Sequence, residues 1–253
     1  MPQSFPIAPP GTPFVTAEQM REIDRAMVDD FGVTLLQMME NAGRNLATVI
    51  VHASSAGEQK SGRVVVLAGP GGNGGGGLVA VRHLHNRGID VSVILAARED
   101  GATGAVRHQL RILRKSGVSI ESAETGDRIK LIDGAGVLVD ALFGYSLDGP
   151  PREPAASFIR AMNEVGTPVV SNDIPTGIDA TSGVIHEPAV RATATVTIAL
   201  PKTGLLSPEA GPLVGDLYLG DIAVPPRLYK QVLAVSFAPI FTEGQVVKMP
   251  VAN

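Results

Sequence analysis

The chain has no cysteine and no tryptophan, and its aromatic residues make up only 4% of 253 positions. The missing thiols exclude disulfides, thiolate catalysis and cysteine-ligated zinc. The shortage of aromatic rings argues against stacking platforms for single-stranded nucleic acid. Basic charge is lacking as well: 21 Lys and Arg against 25 Asp and Glu leave a net charge of −4, so the footprint of a nucleic-acid binder is absent. No apolar run is long enough for a membrane span. The opening MPQSFPIAPPGTPF has neither the basic nor the apolar segment of a secretory signal. These features point to a soluble protein of the cytoplasm without a nucleic-acid or membrane partner. Hydrophobic residues at 44% supply enough apolar side chain to exclude a disordered chain.

What is abundant is glycine and proline. Their counts of 29 and 19 exceed the usual shares of about 7% and 5%, with no collagen-like period. The prolines of residues 1–14 suggest a flexible arm. Thr16 to Gln19 has capping-box spacing, and Met20, Ile23, Met27 and Phe31 recur at helical spacing. A second helix is expected from about Thr34 to Ala53, then a polar linker over 54–62. Short apolar runs follow at Val64–Leu67, Val91–Leu95, Val137–Leu142, Val169–Val170 and Thr195–Leu200. Helical stretches at Leu78–Asn86, Val106–Lys115 and Ala155–Val165 separate them, and Val214–Ile222 adds a late strand. Continuous apolar strands alternating with helices predict a parallel sheet covered on both faces. The fold class is α/β: a three-layer αβα, Rossmann-like, mostly parallel doubly wound sheet with two N-terminal helices. Residues 15–253 read as a single domain.

Three segments stand where such a fold binds ligands. Gly69-Pro-Gly-Gly-Asn-Gly-Gly-Gly-Gly77 follows the first strand and opens a helix, so Gly69, Gly71 and Gly74 satisfy G-x-G-x-x-G in its required setting. A helix start of this kind favours an anion such as phosphate. No Lys-Ser/Thr follows, which excludes a P-loop, and the acidic residues at Glu99 and Asp100 fall late for a dinucleotide-dependent dehydrogenase. Val139-Asp140-Ala-Leu-Phe-Gly144 and Asn172-Asp173-Ile-Pro-Thr-Gly177 each end a strand in an aspartate and a turn. Asn73, Asp140 and Asp173 should therefore converge on one crevice, as hard oxygen donors for a cation or as acid–base groups. A turn that binds nothing and aspartates that merely cap turns are the plainer alternatives. Lys202 follows a further strand, where it meets a phosphate, a substrate oxygen or only solvent. His52, His83, His85, His108 and His186 lack metal-ligand spacing and are expected at the surface.

Together the segments resemble the NAD(P)H-hydrate epimerase family, the YjeF N-terminal domain. The resemblance rests on Met20…Asp24, Leu36-Gln-Met-Met-Glu40-Asn-Ala-Gly43, the glycine loop, Val139–Gly144, Asp173–Asp179, Pro201-Lys-Thr-Gly-Leu-Leu206 and Gly220-Asp-Ile-Ala-Val-Pro225, which occur in the family's order. It implies an isomerase that interconverts the R and S forms of NAD(P)H hydrated at C6 of the nicotinamide, usually as a homodimer, with a separate dehydratase acting downstream. It implies one potassium ion per subunit, held by Asn73, Asp140 and Thr176. It further implies substrate contacts from Gly72, Asn73, Gly74, Gly75 and Gly76, from Gly144, Tyr145, Ser146 and Leu147, and from Asp173, with Asp173 and Lys202 as the catalytic pair. The family loop Gly-Asn-Asn-Gly-Gly-Asp-Gly has Gly72 for its first Asn and Gly76 for its Asp here, and the usual Phe-Gly-Thr-Gly is Phe143-Gly-Tyr-Ser146. A scaffold that keeps the fold without the chemistry, or an enzyme for another substrate, are the alternative outcomes of those changes.

Overall fold

Runs of Val, Ile and Leu with no polar interruption cannot face water on either side, and they form the centre of the sheet. The computed structural model describes residues 4–56, 62–122 and 128–250. The strands are β1 (Arg63–Ala68), β2 (Val91–Leu95), β3 (Ser119–Ser122), β4 (Ala135–Ala141), β5 (Val169–Asn172), β6 (Ala194–Ile198), β7 (Asp216–Gly220) and β8 (Val246–Lys248). They lie in the order β3-β2-β1-β4-β5-β6-β7-β8, parallel throughout except for the antiparallel β8. The helices are α1 (Ala17–Asp29), α2 (Leu35–Ala56), α3 (Gly72–His85), α4 (Gly104–Lys115), α5 (Arg128–Asp133), α6 (Ala155–Glu164), α7 (Gly211–Val214) and α8 (Pro226–Leu233). Alternate strand residues serve opposite layers. Val64, Val66, Val93 and Val139 pack under α2, α3 and α4, whereas Val65, Leu67, Ile94 and Leu138 pack on α5 and α6. A further cluster joins α1 and α8 to Leu219 and Val247. The three-layer, doubly wound expectation agrees with this architecture.

Several expectations are corrected. The helix expected at Leu78 begins at Gly72; each glycine costs about 1 kcal/mol of helix propensity, so the pattern hides the first turn, which tertiary packing restores. A Cβ on Gly75 would lie 2.5 Å from the Met39 methyl, and one on Gly77 would lie 2.5 Å from the Ala141 Cβ. Glycine is what lets α3 sit this close to α2 and β4. The strand expected to reach Leu200 stops at Ile198, because Ala199 turns into the left-handed region at φ 61°. The stretch expected as a loose arm is tied down: Ala8 donates to the Lys248 carbonyl and Lys248 to the Pro6 carbonyl, and Val15 is fully buried. The expected linker is helical through Ala56; residues 57–61 lie outside the described ones. The short polar strand β3 and the elements α5, α8 and β8 were not anticipated. Among the described residues, no helix is long and apolar enough to cross a membrane.

Thr16 caps α1 as expected, its hydroxyl accepting from Gln19 N–H while the Gln19 side chain accepts from Thr16 N–H. Thr16→Ala is expected to cost about 1 kcal/mol, read as a shift of the urea midpoint at unchanged slope.

Candidate functional site

Strands β1, β4, β5 and β6 are parallel, so their carboxyl ends share one rim, and β1 and β4 are the neighbours from which the chain winds in opposite directions. Ligands bind outside that switch point in open α/β sheets. The glycine turn after β1 lies there against the loop after β4: Gly69 N–H donates to the Ala141 carbonyl, and a Cβ on Gly69 would lie 1.8 Å from the Leu142 oxygen. The turn delivers Asn73 into the first turn of α3.

At the end of β5, Asp173 adopts φ 67°, an uncommon conformation outside glycine that aspartate tolerates better than most. With Ala199 doing the same at the end of β6, the turns bring Asp173 against Lys202. The ammonium of Lys202, which is completely buried, donates to Asp173 Oδ1 at 2.5 Å, to Thr197 Oγ1 at 3.2 Å and to the Ile198 carbonyl at 3.0 Å. Thr197 Oγ1 also donates to Oδ1, and the Tyr145 backbone N–H donates to Oδ2 at 3.2 Å. Both oxygens of Asp173 are thus fixed. The solvated lysine considered from sequence is instead the buried partner of this carboxylate.

Asp140, fully buried, accepts from four donors: Leu142 N–H, Ser171 Oγ, Thr176 N–H and Thr176 Oγ1, at 2.7–3.2 Å. Burial pushes its carboxyl upward in pKa, against the pull of those hydrogen bonds. Among the described residues no cationic side chain pairs with it. Thr176 also accepts from Phe143 N–H, which ties this carboxylate to the loop carrying Gly144. Asn73 is not bonded to either of them. Its Oδ1 accepts from Asn172 Nδ2 at 2.9 Å, and Nδ2 of Asn172 also reaches the Asn73 carbonyl at 3.0 Å. Asn73 Nδ2 and Asn172 Oδ1 are buried without partners among the described residues.

A cavity of about 290 Å³ opens at this rim. Its polar wall consists of Asp24, Asn73, Tyr145, Ser146, Asn172 and Asp173, with Gly72, Gly76 and Gly144 at the backbone. Leu35, Met38, Met39, Ile198 and Ile222 form the apolar side. Of the residues proposed from sequence for substrate contact, Gly74, Gly75 and Leu147 do not line it. A Cβ on Gly74 would meet the Gly69 carbonyl at 1.9 Å, so that position serves the turn, while Gly75 lies under Met39. Asp140, Thr176 and Lys202 lie behind the wall.

Two polar residues of the wall were not assigned a role from sequence. Asn172 fills the space above Gly76, whose Cβ would come within 3.0 Å of Asn172 Nδ2; an aspartate at position 76 would contend for that space. Asp24 reaches the cavity from α1 and accepts from the Tyr145 hydroxyl at 2.5 Å. Met20…Asp24 is part of the family resemblance, but one acidic residue on an amphipathic helix gives no sign of facing inward. Burial pushes the Asp24 carboxyl above its ordinary range, and burial together with the charge of Asp24 pushes the Tyr145 phenol up. Among the described residues no three His, Asp or Glu side chains are grouped as metal ligands, and two of the histidines expected at the surface are not plain surface groups: His83 contacts Glu40, and His52 lies edge-on to Phe5.

The chain is a doubly wound α/β protein with a glycine-rich helix start at its switch point and a buried Asp173–Lys202 ion pair at the ends of β5 and β6, on the rim where folds of this class bind ligands. The model of the family described as YjeF-related protein N-terminus matches residues 35–204, and the chain belongs to that family. It is 44% identical, over 93% of its length and 92% of the relative's, to the NAD(P)H-hydrate epimerase of Dehalogenimonas lykanthroporepellens. It is 36% identical to that of Weissella koreensis, covering 84% of this chain and 92% of the relative. The bifunctional NAD(P)H-hydrate repair enzyme Nnr of Moorella thermoacetica is 36% identical over 85% of this chain, which spans 41% of that enzyme. Among solved structures, yeast ynu0, YNL200c, superposes with a TM-score of 0.82 at 28% identity, covering 93% of this chain and 99% of the yeast chain.

Proposed function

We propose that this protein is an NAD(P)H-hydrate epimerase, interconverting the R and S forms of NAD(P)H hydrated at C6 of the nicotinamide ring. The observation that carries the reading is Asp173, a carboxylate with both oxygens fixed at the wall of a cavity that the start of α3 also lines. Anionic phosphates suit that helix start. The apolar side from Leu35 to Ile222 suits a flat ring and keeps bulk water from it, which strengthens electrostatic interactions inside. The ring nitrogen's lone pair expels the C6 hydroxyl and leaves a planar cation, which the fixed Asp173 carboxylate stabilises without reorganising. Water then adds to either face. Lys202 does not line the cavity; it orients Asp173 by donating to its Oδ1. A separate dehydratase would consume the S form, and a second copy of the chain would complete a homodimer.

The donor set behind the wall fits potassium. Asp140 and Thr176 offer only oxygen, which suits a hard cation, and the buried Asp140 carboxylate has no cationic side chain beside it among the described residues. Asn73 would join them by releasing Asn172. The ion would supply positive charge that offsets the buried carboxylate and braces the loop at Gly144. Potassium chloride is therefore expected to raise the melting temperature above that in tetramethylammonium chloride of equal ionic strength. At a hundred times the dissociation constant the gain is about 2.7 kcal/mol; identical melting curves would remove the ion from this reading.

The function is tested with the purified R hydrate of NADH, following the S form by chromatography with and without protein and subtracting the spontaneous reaction. Acceleration is the expected result. None at high protein concentration would overturn the assignment.

A further inference from the structure

Asp173 and Asp24 line the same cavity, but their surroundings suit them to opposite tasks. Both oxygens of Asp173 are engaged, one of them by the Lys202 ammonium. Neither oxygen is free to carry a hydrogen toward a ligand. Asp24 has no cationic partner among the described residues. Its Oδ2 accepts from the neutral Tyr145 hydroxyl, and its Oδ1 takes no hydrogen bond from the described residues. Tyr145 couples the two carboxylates, since its hydroxyl holds Asp24 and its backbone N–H holds Asp173, with the ring centroid 5.9 Å from the Lys202 ammonium.

We infer that Asp24 is a second catalytic carboxylate, the proton donor to the departing C6 hydroxyl, and that Tyr145 is its positioning residue. The inference rests on the epimerase reading. Asp24 gives its proton to the C6 oxygen as the C6–O bond breaks, water leaves, and the nitrogen lone pair forms the planar cation. On return, a water oxygen bonds to C6 from the other face and passes a proton back to Asp24, so the cycle closes with no net change in atoms or charge. Two carboxylates in unlike surroundings on one cavity are a usual basis for dividing acid and anion roles. The upward shift of Asp24 agrees with this division: burial raises it, the Tyr145 hydrogen bond and the Lys202 charge oppose, and the Asp173 charge adds to it. Tyr229 of α8 also senses Asp24, and Arg21 acts on Tyr145. Asp24 lies outside the matched residues 35–204, so the reaction would draw on α1 as well as on the sheet.

The test compares Asp24→Asn and Tyr145→Phe with wild type across pH, after circular dichroism has shown that both fold. Asp24→Asn is expected to lower kcat by about 10² or more, the range of a lost general acid, with KM little changed. Wild-type kcat should fall as pH rises through the pKa of Asp24, since the protonated form is the active one, and Asp24→Asn should lack that limb. Tyr145→Phe removes a donor that favours the ionised form, so the limb should move to higher pH. Wild-type acceleration that persists in Asp24→Asn, or a limb that Tyr145→Phe leaves in place, overturns this inference alone. No acceleration by the wild type overturns the epimerase reading and this inference with it.

Discussion

Lys202→Met is expected to lose both the epimerisation and a large part of the folding free energy. Methionine keeps the apolar stem of this completely buried side chain but leaves Asp173 with an uncompensated charge. Breaking a buried pair by removing one partner costs about 3–5 kcal/mol, a large share of the 5–15 kcal/mol typical of a domain. The catalytic loss should be about 10²–10³, as for other preorganised electrostatic contacts, because Thr197 and Tyr145 alone must then hold the carboxylate. Adding Asp173→Asn removes the orphaned charge, so the double variant should recover much of the stability and none of the activity. Urea unfolding of both singles and the double gives the coupling energy. A single variant within about 1 kcal/mol of wild type would mean that water reaches the pair and screens it.

The second large effect is expected at Gly74. A Cβ there would lie 1.9 Å from the Gly69 carbonyl oxygen, a backbone atom that cannot step aside without opening the turn between β1 and α3. Gly74→Ala should exceed the 1–3 kcal/mol usual for overpacking and leave little folded protein at 37 °C. Gly72, two positions earlier, has no atom within 4 Å of its own Cβ position. There Ala gains helix propensity, up to about 1 kcal/mol, so Gly72→Ala should fold at least as well as wild type. Thermal melts separate the two. Because Gly72 lines the cavity, a raised KM in a fully folded Gly72→Ala would locate substrate at the helix start.

The sheet was legible because its strands are buried on both faces, and an unbroken run such as Val64–Leu67 leaves little choice of structure. Where burial is partial the signal fades: Ser119–Ser122 pairs with β2 through residues that read as loop. Helix α3 was half legible, since the first turn consists of residues chosen for close approach and not for propensity. At the site, the carboxylates at strand ends and the lysine after β6 could be read from position along the chain. Their partners could not. That Lys202 is a buried counter-ion depends on two left-handed residues, Asp173 and Ala199, which no periodicity announces. Asn172 follows Ser171 in a strand, where period two turns it to the opposite face from Ser171 and Asp140; only the packing of α3 shows what it meets. Asp24 required knowing that the loop after β4 folds back to α1.

The pairing of Pro6 and Ala8 with Lys248 has a consequence for how the molecule comes into being. It joins segments far apart in sequence, the kind of contact that forms slowly because the intervening chain must be ordered first. During synthesis Pro6 and Ala8 emerge long before Lys248 and wait without this partner. Strand β7 meanwhile presents an open edge, and open edges recruit other strands. The antiparallel β8, three residues long, closes that edge and receives the early segment in the same step. Closure of this margin thus depends on two segments that are synthesised far apart in time.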